Sequence, residues 1–215
     1  MTVRLVVALL AIAATPLEAQ QDVAARLAGR VSPEVAALVR QLATDAAARG
    51  LPVDPLIQKA IEGGAKGVSP DRVVIAVRGV AAQLDAAAGD LREAGLTPLD
   101  TEAIAAGAFA LNAGLAGRDV VTLARASRAA YGAAVTLRVA GTLSALGVPA
   151  AETVALVTET IRAGRKPGDL LALPGRVQAE VARGATPAQA AAGLARAAAA
   201  HANAPGQNRP KHPHP

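Results

Sequence analysis

Two stretches decide how this chain of 215 residues is read. One is Gly29-Arg-Val-Ser-Pro-Glu-Val35, continuing Ala-Ala-Leu-Val-Arg40. The other is Gly67-Val-Ser-Pro-Asp-Arg-Val73, continuing Val-Ile-Ala-Val-Arg78. Both have the chemistry of a helix boundary. Gly supplies the left-handed residue that closes one helix, and Pro fits the first position of the next, where the N–H has no partner. Ser32 and Ser69 stand just before the Pro, where a hydroxyl caps free N–H groups. The acid in the next turn meets the positive end of the helix dipole.

The pattern recurs. A shorter version is Gly117-Arg-Asp-Val120, leading to Arg125, and a fourth is Gly164-Arg-Lys-Pro-Gly-Asp-Leu170, leading to Arg176. A second motif alternates with these: Gly50-Leu-Pro-Val-Asp54, Gly95-Leu-Thr-Pro-Leu-Asp100, Gly147-Val-Pro-Ala-Ala-Glu152 and Gly184-Ala-Thr-Pro-Ala-Gln189. Thr97 and Thr186 precede a Pro as the serines do, and Thr186 with Gln189 has capping-box spacing. Motifs of one type return at steps of roughly 40–50 residues, the size of HEAT or armadillo helix pairs, without the sequence signature of either family.

The alternation predicts an all-α chain of about eight helices forming four αα-hairpin repeats, either solenoid-like or a compact right-angled bundle. The first-type helices are placed at 33–49, 70–94, 118–146 and 168–183, the second-type at 53–66, 98–116, 150–163 and 187–202. Pro174-Gly175 should break or kink the seventh. Gly79, Gly107, Gly132 and Gly141 fall inside these helices, where close helix contact is the usual compensation for a poor helix former.

Composition agrees with helix. The chain is 52% hydrophobic but 1% aromatic, with one Phe, one Tyr, no Trp and no Cys. Ala in abundance with few β-branched and aromatic residues favours helix over sheet. The absence of Cys excludes disulfides, thiolate metal sites and a Cys nucleophile.

Met1 to Ala19 reads as a cleaved signal peptide. Arg4 is followed by an apolar run from Leu5 to Ala14, too short for a stable span, then Pro16 and the small Ala19. The expected domains are therefore a signal at 1–19, a helical-hairpin repeat domain at 20–202 and a disordered tail at 203–215 rich in Pro and His. The signal carries one base and one acid, so the net charge of +5 survives its removal. A periplasmic or secreted location follows, with no transmembrane segment in the mature chain and no nucleic-acid partner, since export separates a basic protein from nucleic acid.

Catalytic residue types are scarce. All three histidines, His201, His212 and His214, lie at the end of the chain, so no Ser-His-Asp triad or His-based metal centre forms earlier. Two imidazoles on a tail make a poor metal site. Glu34, Asp54, Asp71, Asp100, Glu102, Asp119, Glu152 and Asp169 fall near helix starts, where dipole complementarity accounts for them. Asp85, Asp90, Glu93, Asp100 and Glu102 bracket the turn at Gly95 without the alternating spacing of a calcium loop, and read as a solvated hairpin tip. Gly63-Gly64-Ala65-Lys66-Gly67 lacks the Ser or Thr of a phosphate-binding loop and reads as a helix end. No catalytic residue, cofactor or metal is assigned.

One candidate surface remains. Arg40, Arg78, Arg125 and Arg176 occupy equivalent places, about five residues past the first core residue of each first-type helix. At 100° per residue each lies about 140° from the core direction. Stacked repeats would line them into a basic ladder for an anionic partner. The sequence thus points to an exported, non-catalytic helical-repeat interaction or scaffold protein, its partner a protein or an anionic envelope polymer. The alternatives are a lipid- or membrane-surface-binding protein, or a hydrolase built on two converging carboxylates.

Overall fold

The computed structural model describes residues 16–127 and 131–202. The tail at 203–215 and most of the expected signal lie outside them. Among the described residues the chain is all-helical, with eleven helices where about eight are expected. They are α1 (Pro16–Leu27), α2 (Pro33–Ala48), α3 (Asp54–Ala65), α4 (Pro70–Glu93), α5 (Thr101–Asn112), α6 (Gly117–Ala126), α7 (Ala133–Ala145), α8 (Ala150–Arg162), α9 (Pro167–Leu171), α10 (Leu173–Ala182) and α11 (Pro187–Ala202). No helix among them is long and apolar enough to cross a membrane.

The extra helices have three origins. First, α1 runs through the expected cleavage point; its buried anchors, Val23 and Leu27, both lie downstream of Ala19. Second, the helix expected at 118–146 is two. Ser127 turns extended after α6, and Gly132 sits before α7 at φ +72° rather than inside a helix. Third, Pro174 divides α9 from α10 at Ala172, the break expected there.

Gly closes the helices as the motifs require. Gly50, Gly67, Gly95, Gly147 and Gly184 all have positive φ, and in each case the next residue donates its N–H to a carbonyl five positions back, as Leu51 does to Ala46 at 2.9 Å. Gly117 departs from the motif. It is the first residue of α6, and the left-handed turn before that helix belongs to Gly114. At the helix starts, Ser32 accepts from Val35 N–H, and Thr186 and Gln189 form the reciprocal box at 3.2 and 3.0 Å. Ser69 makes no side-chain cap bond, and α5 is capped by Asp100 instead of Thr97.

One apolar cluster of Leu, Ile, Val and Ala runs through α1 to α11. Every substantial contact joins helices no more than three apart in chain order. Small residues set the closest approaches. A Cβ on Gly107 would meet that of Ala87 at 3.0 Å, and one on Gly64 would collide with the Arg30 carbonyl. Gly79 has nothing within 4 Å, so close packing does not explain it.

Candidate functional site

Three short helix-to-helix registers build the site. Along α4 and α5, Gly107 meets Ala87 while Gln83 reaches Asn112, so the two run antiparallel. Along α3 and α4, Gly63 packs on Val73 across a short turn, again antiparallel. Along α5 and α7, Gly107 neighbours Leu137, Gly141 meets Phe109, and Ser144 Oγ donates to Ala113 carbonyl at 2.7 Å. Those numbers rise together, so α5 and α7 are parallel. Helices α3 and α5 share no substantial contact. Between them α4 forms the floor of an open groove of about 990 Å³.

Val80 and Gln83 of α4 lie on the floor. The α3 wall carries Asp54, Gln58, Lys59 and Glu62, the α5 wall Glu102, Ala105, Phe109 and Asn112, and Arg138 of α7 stands at the rim. Gln58, Gln83 and Asn112 are each the only side-chain amide of their helix, and all three converge here. Phe109, the only Phe, is half-buried, its ring against the backbone of Gly141.

The charges divide into satisfied and free. Asp54 accepts from Arg26 at 2.6 Å. Glu62 sits between Lys66 and Lys59 at 2.5 and 3.2 Å; hydrogen bonds from Lys66, then Lys59, hold its carboxyl below its ordinary value of 4.5. A carboxylate kept ionised this way is a poor general acid. Glu102 and Arg138 have no ion-pair partner among the described residues.

The ladder arginines lie elsewhere. Arg40 and Arg78 are exposed on α2 and α4, without a carboxylate partner among the described residues. Arg125 donates to the Glu93 carbonyl at 2.9 Å and lies 3.7 Å from the Glu93 carboxylate. That places its guanidinium at the C-terminal end of α4, about 22 Å along the axis from Arg78 at 1.5 Å per residue. Arg176 pairs with Asp169 at 3.0 Å. The first buried residue of its segment is Leu170, so Arg176 stands one position out of register with the others. The structure does not bring the four together.

The acids around Gly95 also separate. Asp85 pairs with Arg49, Asp100 caps α5, Glu93 faces Arg125, and Asp90 packs on Gly117, with one oxygen unpartnered. Among the described residues no cluster of three His, Cys, Asp or Glu has metal-binding geometry. His212 and His214 lie outside them. No protein-family model, curated protein or solved structure matches this chain.

Proposed function

We propose that the chain is an exported, non-catalytic helical-repeat interaction protein, and that it holds its partner in the groove floored by α4. The groove carries this reading. Its lining offers hydrogen-bond donors and acceptors from four helices, while one of its carboxylates, Glu62, is locked by two lysines. A lipid carrier needs a Leu-, Ile- and Val-lined cavity, and this lining is too polar for one. Contacts confined to nearby helices are the mark of repeat proteins, which present long binding surfaces. On this reading the chain is four hairpin units after α1, with the third and fourth each interrupted once. Export rests on the pattern of Met1 to Ala19.

The test is site-specific photo-crosslinking in the source cells. A photoreactive residue at Gln83, on the groove floor, should give a discrete adduct, while the same residue at the exposed Ala82 should give none. Equal labelling, or an adduct from Ala82 alone, would remove the groove from the function. Protein recovered from the envelope or culture fluid should begin at Gln20.

A further inference from the structure

We propose that the groove takes an extended polypeptide segment carrying one acidic and one basic side chain about three residues apart. This rests on the groove being the binding surface, and adds the chemistry of the partner.

Three observations select a polypeptide. The first is the amides. Gln58, Gln83 and Asn112 come one from each of three helices, and Gln83 Nε2 already donates to Asn112 Oδ1 at 3.3 Å. A side-chain amide offers a donor and an acceptor together, as a peptide main chain does. Amides lining one groove therefore suit an extended backbone, whose own groups alternate in the same way.

The second is charge. With Asp54 and Glu62 paired to Arg26, Lys59 and Lys66, the charges that line the groove without an ion-pair partner among the described residues are Glu102 and Arg138, which are opposite in sign. A polyanion demands a surplus of cations, and a polycation the reverse. A segment with one charge of each sign satisfies both residues.

The third is spacing. Leu137 neighbours Gly107 and Gly141 faces Phe109, so Arg138 stands level with Ala108 on the parallel α5. From there to Glu102 is about 9 Å along the helix at 1.5 Å per residue. An extended chain covers that in about three residues at roughly 3.3 Å each. Between the two levels the lining is Ala105 and Ala108, with the half-buried Phe109 one residue beyond, a patch for one apolar side chain. Nucleic-acid bases need several stacking platforms, and this single ring is too few.

The experiment uses the full chain and an array of acetylated, amidated nonapeptides with one Asp and one Lys at every spacing and in both orders, on a Ser/Val background. Dextran sulfate and phosphatidylglycerol vesicles are the competing probes. Binding should peak at a spacing of about three, in one order of charges. Arg138→Gln and Glu102→Gln should each weaken it about tenfold, and Arg78→Gln on the outer face should leave it unchanged. The exchanged variant, Glu102→Arg with Arg138→Glu, should prefer the reverse order of Asp and Lys. Thermal unfolding checks that the variants fold; all three substituted positions are exposed. Absence of peptide binding, binding indifferent to charge order, or preference for dextran sulfate or vesicles overturns the polypeptide. An adduct at Gln83 without peptide binding overturns this proposal and leaves the groove as the binding surface. Loss of the Gln83 adduct overturns both.

Discussion

A Cβ placed on Gly141 would stand 2.6 Å from the ring of Phe109, so the one aromatic side chain of the groove rests on the bare backbone of α7. The pair fixes both the spacing of α5 and α7 and the position of the ring. Gly141→Ala should cost about 1–3 kcal/mol from overpacking, partly offset by about 1 kcal/mol of helix propensity. In a Phe109→Ala background the cost should shrink, leaving only the 3.1 Å approach to the Ala110 backbone. Urea unfolding of the four proteins gives the coupling, and additivity would show that the ring does not depend on this glycine.

Glycines elsewhere respond in opposite directions. Gly50 has φ +69° and open space around it, so Gly50→Ala incurs only backbone strain, about 1–2 kcal/mol destabilising. Gly79 is exposed mid-helix with no neighbour within 4 Å, so Gly79→Ala should stabilise by about 0.5–1 kcal/mol. Gly64→Ala meets the Arg30 carbonyl and should be the most damaging of the three. Thermal unfolding ranks them.

Asp90 should oppose stability at neutral pH. Burial, and then repulsion from Glu93, raises its carboxyl above the ordinary 3.8. A raised acid contributes stability below its unfolded pKa and loses that contribution as pH rises through the folded value. Asp90→Asn should therefore raise stability near pH 7 and change little near pH 3. Equal gains at both pH values would assign the effect to shape.

Glu62 has the opposite sign. Lowered by its lysines, it contributes stability above its unfolded pKa, and the contribution fades as pH falls through the folded value. Lys59→Gln with Lys66→Gln should return the Glu62 carboxyl toward its ordinary value, read directly by NMR titration.

Much of this fold was legible because helix ends are local chemistry. The glycine at 50, 67, 95, 147 and 184 carries its positive φ wherever its helix lies, and the Thr186–Gln189 box forms within four residues. The break between α6 and α7 has no proline to announce it, so one long helix was the natural reading. Gly117 resembled the other motif glycines, but its reason is the Asp90 side chain on another helix, beyond the reach of local pattern. The groove was hidden for the same cause. Arg138 sits mid-helix with no motif, and it lines the same groove as Glu102 and Asn112 only because α5 and α7 run parallel in one register. Nor do the amides mark it, since α2, α10 and α11 also carry a single side-chain amide each. The arginine ladder shows the converse, since equal sequence offsets do not give equal heights when α6 begins beside the end of α4.

Among the described residues no substantial contact reaches past the third neighbouring helix, so the described helices have no distant clasp. Pulled from its ends, the chain should lengthen in successive small yields rather than one rupture, each releasing a hairpin while the rest stays packed. Optical-trap extension of the folded chain would read those steps, and their order would locate the stiffest turn of the spring.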